Sequence, residues 1–294
     1  MKPISEAWCC QIDVNNRCHL DCAYCSRLLR HTRADQRFNM SLHDFRTALE
    51  SLSGFPGKIG IIGGEPTLHP EFSKLCYAVQ LSGISKATFG LFTSGGKGYD
   101  KHRGLIDETF GFVAMNKHTE EQKQACLHQP LTVGVDDVVK DEAYRQKLIE
   151  NCWVQQQWCP SVNPKGAFFC EIAAAWDVIL DGPGGWVVEP GWWKRSPENF
   201  ADQINRYCGH CGMPVPMARE HLGVKEQISA GNLKLFNEHR LPLHDFVTVV
   251  SGSFTVEQME AVKVNWDPGN YRGDIRNDRP YGHACAAGSS GRRP

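Results

Sequence analysis

Apolar runs alternate with segments of helical periodicity over residues 8–152. The apolar runs are too short for helices of ordinary length, and several end in glycine, which is typical of strands that continue into turns. The segments between them place apolar residues three or four positions apart, which indicates amphipathic helices. The pattern predicts strands at 8–15, 58–66, 87–96, 110–116 and 131–138, and helices at 41–52, 69–83, 118–128 and 141–152.

This alternation predicts a parallel sheet covered by helices, because strands that are apolar on both faces need helices on both faces. A cysteine-rich loop follows the first predicted strand, the sequence GGEP follows the second and TSGG follows the third. The carboxyl ends of parallel strands meet at one edge of a sheet, where α/β proteins carry their chemistry. We therefore expect the three motifs to lie at the same rim.

The pattern changes after residue 150. Residues 153–170 predict a β-hairpin that turns at PKG, and residues 171–180 predict a helix. Ser196 followed by Pro197 is typical of a helix start. Residues 224–241 predict a pair of helices. These changes divide the chain into a core at 1–150, an extension at 151–214 and a C-terminal region at 215–294 to which the sequence assigns no chemistry.

Composition and charge narrow the functional classes. The chain has 294 residues, of which 41% are hydrophobic and 22% charged, with a net charge of −1. These values are ordinary for a soluble globular protein and provide no general attraction for nucleic acid or an anionic membrane. The sequence has neither a long apolar run nor a signal-type start, so it predicts a cytoplasmic protein without a membrane span.

Cysteine is the exception, with 13 residues of this type. An odd number in tight local groups argues against a disulfide framework and favours metal or cluster ligation. The isolated Cys76, Cys126 and Cys285 are expected to be buried, inert thiols.

The first group has the spacing C-x-x-x-C-x-x-C, formed by Cys18, Cys22 and Cys25. A structural zinc site takes four protein ligands, and three thiolates are one short. An iron–sulfur cubane held by three thiolates instead leaves one iron open to a small molecule. With Tyr24 before the last cysteine and GGEP after the next strand, the group resembles the signature of the radical S-adenosylmethionine superfamily.

That resemblance implies a partial (β/α)6 barrel, a 4Fe–4S cluster on the three cysteines and S-adenosylmethionine bound to its open iron. It also implies a role for each matching position. The backbone of Tyr24 would meet the adenine, and Gly63, Gly64, Glu65 and Pro66 would meet the amino group. Thr93 and Ser94 would lie near the ribose and carboxylate, with Ser94 in the place of the family's usual asparagine.

A second cysteine set, with a C-x-x-C pair, resembles the auxiliary-cluster region of the same family, named SPASM or, in its shorter form, twitch. The resemblance implies a second 4Fe–4S cluster. Cys159 is the alternative to the first ligand, and a structural zinc on the same thiols is the alternative to a cluster. The implied ligands are Cys152, Cys170, Cys208 and Cys211.

The favoured function is dehydrogenation of a small sugar- or cyclitol-like molecule, with the auxiliary cluster as electron acceptor and a flavodoxin- or ferredoxin-like reductant. The same chemistry on a peptide or protein side chain, or on a nucleotide or nucleobase, is the enzymatic alternative. An iron–sulfur electron carrier or sensor is the non-enzymatic alternative, which leaves GGEP without a purpose. The resemblance also implies sensitivity to oxygen.

Overall fold

The computed structural model describes residues 1–115, 127–157, 160–217, 220–221, 226–243 and 247–263. Most of the predicted helix at 118–128 lies outside these residues, as do Cys126, Cys159 and Cys285.

The described residues form strands and helices in the following order. The strands are β1 (Cys9–Asp13), β2 (Lys58–Ile62), β3 (Phe89–Thr93), β4 (Phe112–Met115), β5 (Leu127–His128), β6 (Ser161–Asn163), β7 (Gly166–Phe168), β8 (Glu220–His221), β9 (Gln227–Ser229) and β10 (Thr248–Val250). The α-helices are α1 (Leu42–Ser51), α2 (Phe72–Leu81), α3 (Lys97–Thr109), α4 (Val135–Val138), α5 (Glu142–Glu150), α6 (Trp153–Gln157), α7 (Glu171–Ile179), α8 (Ala201–Tyr207), α9 (Ala230–Glu238) and α10 (Val256–Lys263).

Six of the strands form one mostly parallel sheet in the order β4-β3-β2-β1-β6-β7. Strands β1 to β4 and β6 are parallel, and β7 returns antiparallel to β6 as the second strand of the predicted hairpin. The hairpin turns at Pro164 and Lys165, as predicted. The fold is therefore of the α/β class, and its mixed, mostly parallel sheet is consistent with part of a barrel.

The two faces of β1 differ in chemistry. Successive side chains alternate between the faces of a strand. Ile12 lies opposite Ile61 and packs in the apolar core with side chains of α1 and α2. Gln11 and Asp13 share the other face and are also buried. Because buried polar groups need partners, this second face has to hold a hydrogen-bonded network.

The predicted helix at 41–52 is confirmed, with its cap. It runs from Leu42 to Ser51, and the Oγ of Ser41 accepts a hydrogen bond of 3.0 Å from the backbone N–H of Asp44. This bond satisfies one of the amide donors that a helix start leaves without a partner. Helices α2 and α5 likewise lie within the predicted ranges 69–83 and 141–152.

The strand predicted at 131–138 is wrong, because Val135–Val138 forms a single helical turn. Its polar groups bond to a distant segment rather than to a strand ladder. The backbone N–H of Gly134 donates to the Oγ of Ser229 at 3.0 Å, and the Oδ2 of Asp137 accepts from the backbone N–H of Asn232 at 3.2 Å. Asp137 thereby stabilises the start of α9, a contact that apolar periodicity does not reveal.

Three other expectations differ from the structure. Leu127–His128 is a strand paired with Glu220–His221, not the end of a helix. Of the predicted helix pair at 224–241, the described residues 226–241 contain a strand and one helix, and Trp153–Gln157 is helical.

Helix α3, Lys97–Thr109, is absent from the prediction. Gly98 and Gly104 weaken its helical signal. Gly98 is required there, because a Cβ would lie 2.5 Å from the Oγ1 of Thr67.

The space above Gly90 of β3 is filled by the ring of Phe112, and a Cβ at residue 90 would lie 2.0 Å from that ring. We expect Gly90→Ala to lower the free energy of unfolding by about 1–3 kcal/mol because the ring has to move. Gly104→Ala is the matched control, since nothing lies within 4 Å of its added Cβ. Urea unfolding would measure both, and an equal effect of the two substitutions would contradict this packing.

Candidate functional site

Cys18, Cys22 and Cys25 lie in the loop after β1, and each is half-buried. Burial, with a smaller contribution from the neighbouring thiols of the group, raises the pKa of Cys18 to about 11 and that of Cys22 to about 12. The three thiols therefore lie close together and are protonated at neutral pH in the metal-free protein. Metal ligation has to release those protons.

The GGEP turn is bonded to the segment just before Cys18. The backbone N–H of Gly64 donates to the carbonyl of Asn15 at 3.0 Å, and that of Glu65 donates to the carbonyl of Arg17 at 2.7 Å. A Cβ on Gly63 or Gly64 would lie 2.4 or 2.3 Å from those same carbonyl oxygens. The two glycines are thus required for backbone to approach backbone, and the turn after β2 is fixed against the first cysteine loop.

The carboxylate of Glu65 joins the GGEP and TSGG turns. It is fully buried, and its Oε1 accepts hydrogen bonds of 2.7 Å from the hydroxyls of Thr67 and Thr93. Its Oε2 accepts from the backbone N–H and the hydroxyl of Ser94 at 2.8 and 2.6 Å. Pro66 follows as the first residue of a short 3₁₀ turn. The structure therefore brings Glu65, Thr93 and Ser94 together at one rim, beside the first cysteine loop.

Tyr24 is held by the C-terminal region. Its backbone has a φ of 52°, its ring is buried, and its backbone N–H donates to the Oε1 of Glu226 at 3.2 Å. The backbone N–H of Gln227 donates to the Tyr24 hydroxyl oxygen at 2.7 Å. Sequence reasoning missed both partners, because a separation of 202 residues leaves no local signal.

Glu226 also contacts the segment that follows the first cysteine loop. Its Oε1 lies 3.2 Å from the Nε2 of His31, and its Oε2 lies 3.5 Å from a guanidinium nitrogen of Arg30. Burial raises the pKa of Glu226, but His31, the Tyr24 N–H and Arg30 outweigh it, so the net pKa is lowered. Glu226 is therefore a buried anion within a cationic and hydrogen-bonding environment.

A second buried network lies on the polar face of β1. The Nε of Arg27 donates to Asp13 Oδ1 at 2.8 Å, and its NH2 donates to Glu171 Oε2 at 3.1 Å. The same guanidinium bonds the side-chain oxygen of Gln11, and Ser161 of β6 donates to Asp13 Oδ2 at 2.7 Å. Burial lowers the pKa of Arg27, but its two carboxylate partners outweigh that effect and raise it, so Arg27 stays charged.

This network connects the two cysteine sets. Arg27 lies two residues after Cys25, and Glu171 directly follows Cys170. The side chains that join them are nearly inaccessible, with side-chain exposures of 7% for Arg27 and 6% for Glu171. The guanidinium therefore fixes the first cysteine loop against the start of α7.

The second cysteine set lines one cavity. Cys170 precedes α7, Cys208 follows α8, and Cys152 and Cys211 complete the group. Burial raises the pKa of each thiol, that of Cys170 to about 12, and the other thiols add to it for Cys208 and Cys211. The remaining lining is mainly apolar, from side chains that include Phe169, Ile172, Trp176 and Met213.

Among the described residues, no three or more His, Cys, Asp or Glu side chains form a group that would hold a single metal ion. The thiolates of a 4Fe–4S cluster each bind a different iron, so they need not converge on one point.

Residues 226–238, which comprise Glu226, β9 and α9 and are called the β9–α9 unit here, link the two cysteine sets a second time. Through Glu226 and Gln227 it bonds to Tyr24, and the side-chain amide of Asn232 donates to the carbonyl of His210 at 2.8 Å. His210 lies between Cys208 and Cys211. A region without a sequence-based role thus contacts both candidate sites.

Comparisons with known proteins give limited information. A scan against protein-family models found no match, and a search of curated proteins found no significant one. Among solved structures, BtrN in complex with AdoMet and 2-DOIA aligns with a TM-score of 0.39 and 16% identity over 56% of this chain and 74% of that chain. Selenomethionine BtrN in an open conformation aligns with the same TM-score and identity over 69% of this chain and 87% of that chain. Values of this size do not establish a shared function, so the functional inference rests on this chain's own residues.

None of the described helices combines the length and the apolar composition needed to cross a lipid bilayer.

We expect Arg27→Met to lower the free energy of unfolding by about 3–5 kcal/mol, because it removes the buried positive charge that faces Asp13 and Glu171. Arg27→Lys should give a smaller loss, since an ammonium keeps the charge but cannot bond several partners as a planar guanidinium does. Arg46→Met, at an exposed position of α1, is the matched control and should change stability by less than about 0.5 kcal/mol.

Urea unfolding of the metal-free protein measures all three variants. A midpoint for Arg27→Met equal to that of Arg46→Met would contradict the structural role of the network.

Proposed function

We propose that this chain is a radical S-adenosylmethionine enzyme with two iron–sulfur clusters that dehydrogenates a small sugar- or cyclitol-like molecule. The first cluster would bind to Cys18, Cys22 and Cys25, and the second to Cys152, Cys170, Cys208 and Cys211. One observation carries the proposal. The loop with the C-x-x-x-C-x-x-C spacing, the GGEP turn and the Ser94 turn meet at one rim and are bonded to each other through backbone groups and Glu65.

The residues at this rim fit the group that they would hold. Cys18, Cys22 and Cys25 are half-buried thiols, and thiolates are the ligands that iron–sulfur clusters take. When bound, the cluster and S-adenosylmethionine supply one-electron cleavage of a carbon–sulfur bond, and the resulting 5′-deoxyadenosyl radical removes a hydrogen atom from substrate. The protein's part is to orient these groups and to exclude side reactions.

Residues around the first cysteine loop would provide that orientation. Glu65 fixes the backbone N–H and hydroxyl of Ser94, so the TSGG turn keeps one geometry beside the ligand. Glu226 and Gln227 hold both ends of Tyr24, whose backbone would meet the adenine. The burial of Tyr24 and Glu226 limits the access of water to this side of the loop. The internal bonds of Glu65 leave the glycine-rich backbone as the main contact for the amino group of S-adenosylmethionine.

The second set is proposed to hold a cluster rather than zinc, because only a redox-active group could accept an electron from substrate. Zinc would draw four thiolates around one ion at about 2.3 Å each, whereas each thiolate of a 4Fe–4S cluster binds a different iron. Cys152, Cys170, Cys208 and Cys211 line one cavity and would supply the four thiolates.

Dehydrogenation of an alcohol removes two electrons, and the second cluster would accept the one that the adenosyl radical does not remove. The substrate carbon would lose a hydrogen atom to the adenosyl radical, its hydroxyl proton would pass to water, and one electron would pass to the group held by Cys152, Cys170, Cys208 and Cys211. The product would be a carbonyl compound, and a flavodoxin- or ferredoxin-like protein would supply the electron that starts each turnover.

Anaerobic reconstitution tests the proposal. We expect about eight irons per wild-type chain, four for each cluster. Replacing Cys18, Cys22 and Cys25 together by alanine should remove half of this iron and all formation of 5′-deoxyadenosine from S-adenosylmethionine and dithionite. Cys208→Ala/Cys211→Ala should remove the other half and retain that cleavage.

Cys76→Ala is the matched control, because this buried thiol of α2 belongs to neither set. It should retain both the iron and the cleavage. A fully loaded first cluster that forms no 5′-deoxyadenosine would contradict the radical chemistry, and zinc in place of iron at the second set would contradict the proposed electron acceptor.

A further inference from the structure

Trp176 of α7 is a buried hydrogen-bond donor that faces the second cysteine set. Its side chain is 0% exposed and lines the cavity of the four cysteines. In the part of the chain that the structure describes, its indole Nε1 has no hydrogen-bond partner. A buried indole N–H without a partner is costly, and tryptophan normally finds an acceptor when it is buried.

Other buried indoles of this chain follow that rule. The Nε1 of Trp153 donates to the Oε1 of Gln129 at 3.1 Å. The Nε1 atoms of Trp192 and Trp193 donate to the hydroxyl and the carbonyl of Ser51 at 3.2 and 3.1 Å. Trp176 differs from them in its surroundings, because its cavity offers thiol sulfur.

The orientation of Trp176 is fixed by two rings. Its ring centroid lies 5.9 Å from that of His210, in a tilted arrangement, and 5.9 Å from that of Phe236, edge to face. His210 lies within the C-x-x-C pair, and Phe236 belongs to α9. The indole is therefore held in place by both the second cysteine set and the C-terminal unit.

Sulfur is the acceptor that the surroundings offer, because Cys211 and the other three cysteines of the set line the same cavity as Trp176. The indole N–H has no partner among the described residues, and a cluster bound to these cysteines would supply one. An indole is a donor only, so its interaction with a sulfur atom strengthens when the sulfur carries negative charge.

We propose that Trp176 is a positioning residue of the second site, whose indole N–H donates to a sulfur atom of the cluster bound there and raises the reduction potential of that cluster. The inference rests on the proposed function, since it requires a redox-active group on this cysteine set. Hydrogen bonds to the sulfur atoms of a cluster stabilise its reduced, more negative state and so raise its potential. A higher potential suits a cluster that has to accept an electron from substrate.

The test uses the full chain with Cys18, Cys22 and Cys25 replaced by alanine, so that only the second cluster is loaded. In this parent, Trp176→Phe removes the N–H and keeps an aromatic ring against His210 and Phe236. We expect the equilibrium constant for reduction to fall about tenfold, which is about 59 mV for a one-electron couple, with unchanged iron content. Trp192→Phe, which removes an indole bonded to Ser51, is the matched control and should leave the potential unchanged.

Anaerobic redox titration followed by visible absorption and electron paramagnetic resonance gives the potential. If Trp176→Phe loses iron, replacing Trp176 with 3-benzothienylalanine removes the N–H with little change of shape and should give the same shift. A fully loaded variant with the potential of the parent overturns the role of Trp176 and leaves the proposed function standing. A parent without a titrating cluster overturns the proposed function and this inference with it.

Discussion

The buried guanidinium of Arg27 is the interaction on which the arrangement of this molecule depends. It is bonded to Asp13 in the central strand, to Glu171 at the start of α7 and to Gln11 beside them. Charges buried to this extent are tolerated only where they are paired and hydrogen-bonded. The first cysteine loop, which carries Arg27, is thereby held in one position relative to β1 and α7. Arg27 lies two residues after Cys25, and Glu171 directly follows Cys170.

The order of the sheet gives this network its importance. Strand β1 has β2 on one edge and β6 on the other, so it separates two chemically different halves. The GGEP and TSGG turns follow β2 and β3 on one side. The hairpin of β6 and β7 leads to Cys170 and the second cysteine set on the other. The polar face of β1 lies between these halves, and the β9–α9 unit connects them from outside through Tyr24 and His210. A substrate that reacts at the first site and passes an electron to the second would need such a fixed separation.

The sequence-based predictions are correct where interactions between residues close in the sequence determine the structure. Strands β1 to β4 and helices α1, α2 and α5 are indicated by local apolar patterns, and the structure has each of them within the predicted range. The meeting of GGEP with the cysteine loop was also predictable, because parallel strands bring their carboxyl ends to one edge.

The failures lie where distant residues decide the local structure. Residues 131–138 are apolar enough for a strand, but their polar groups bond to Ser229 and Asn232, and the segment is helical at Val135–Val138. Gly98 weakens the pattern of α3 because Thr67 leaves no space for a larger residue. Glu226 and Trp176 have no motif around them, and their importance depends on burial and on partners far along the chain.

We propose two separate iron–sulfur clusters, one on each cysteine set. The most direct measurement is an anaerobic crystal structure of the reconstituted protein with data collected on both sides of the iron absorption edge. We expect two separate peaks of anomalous iron scattering, one inside the loop of Cys18, Cys22 and Cys25 and one in the cavity of Cys152, Cys170, Cys208 and Cys211. A single iron peak, or a second peak that scatters as zinc, would contradict the proposal.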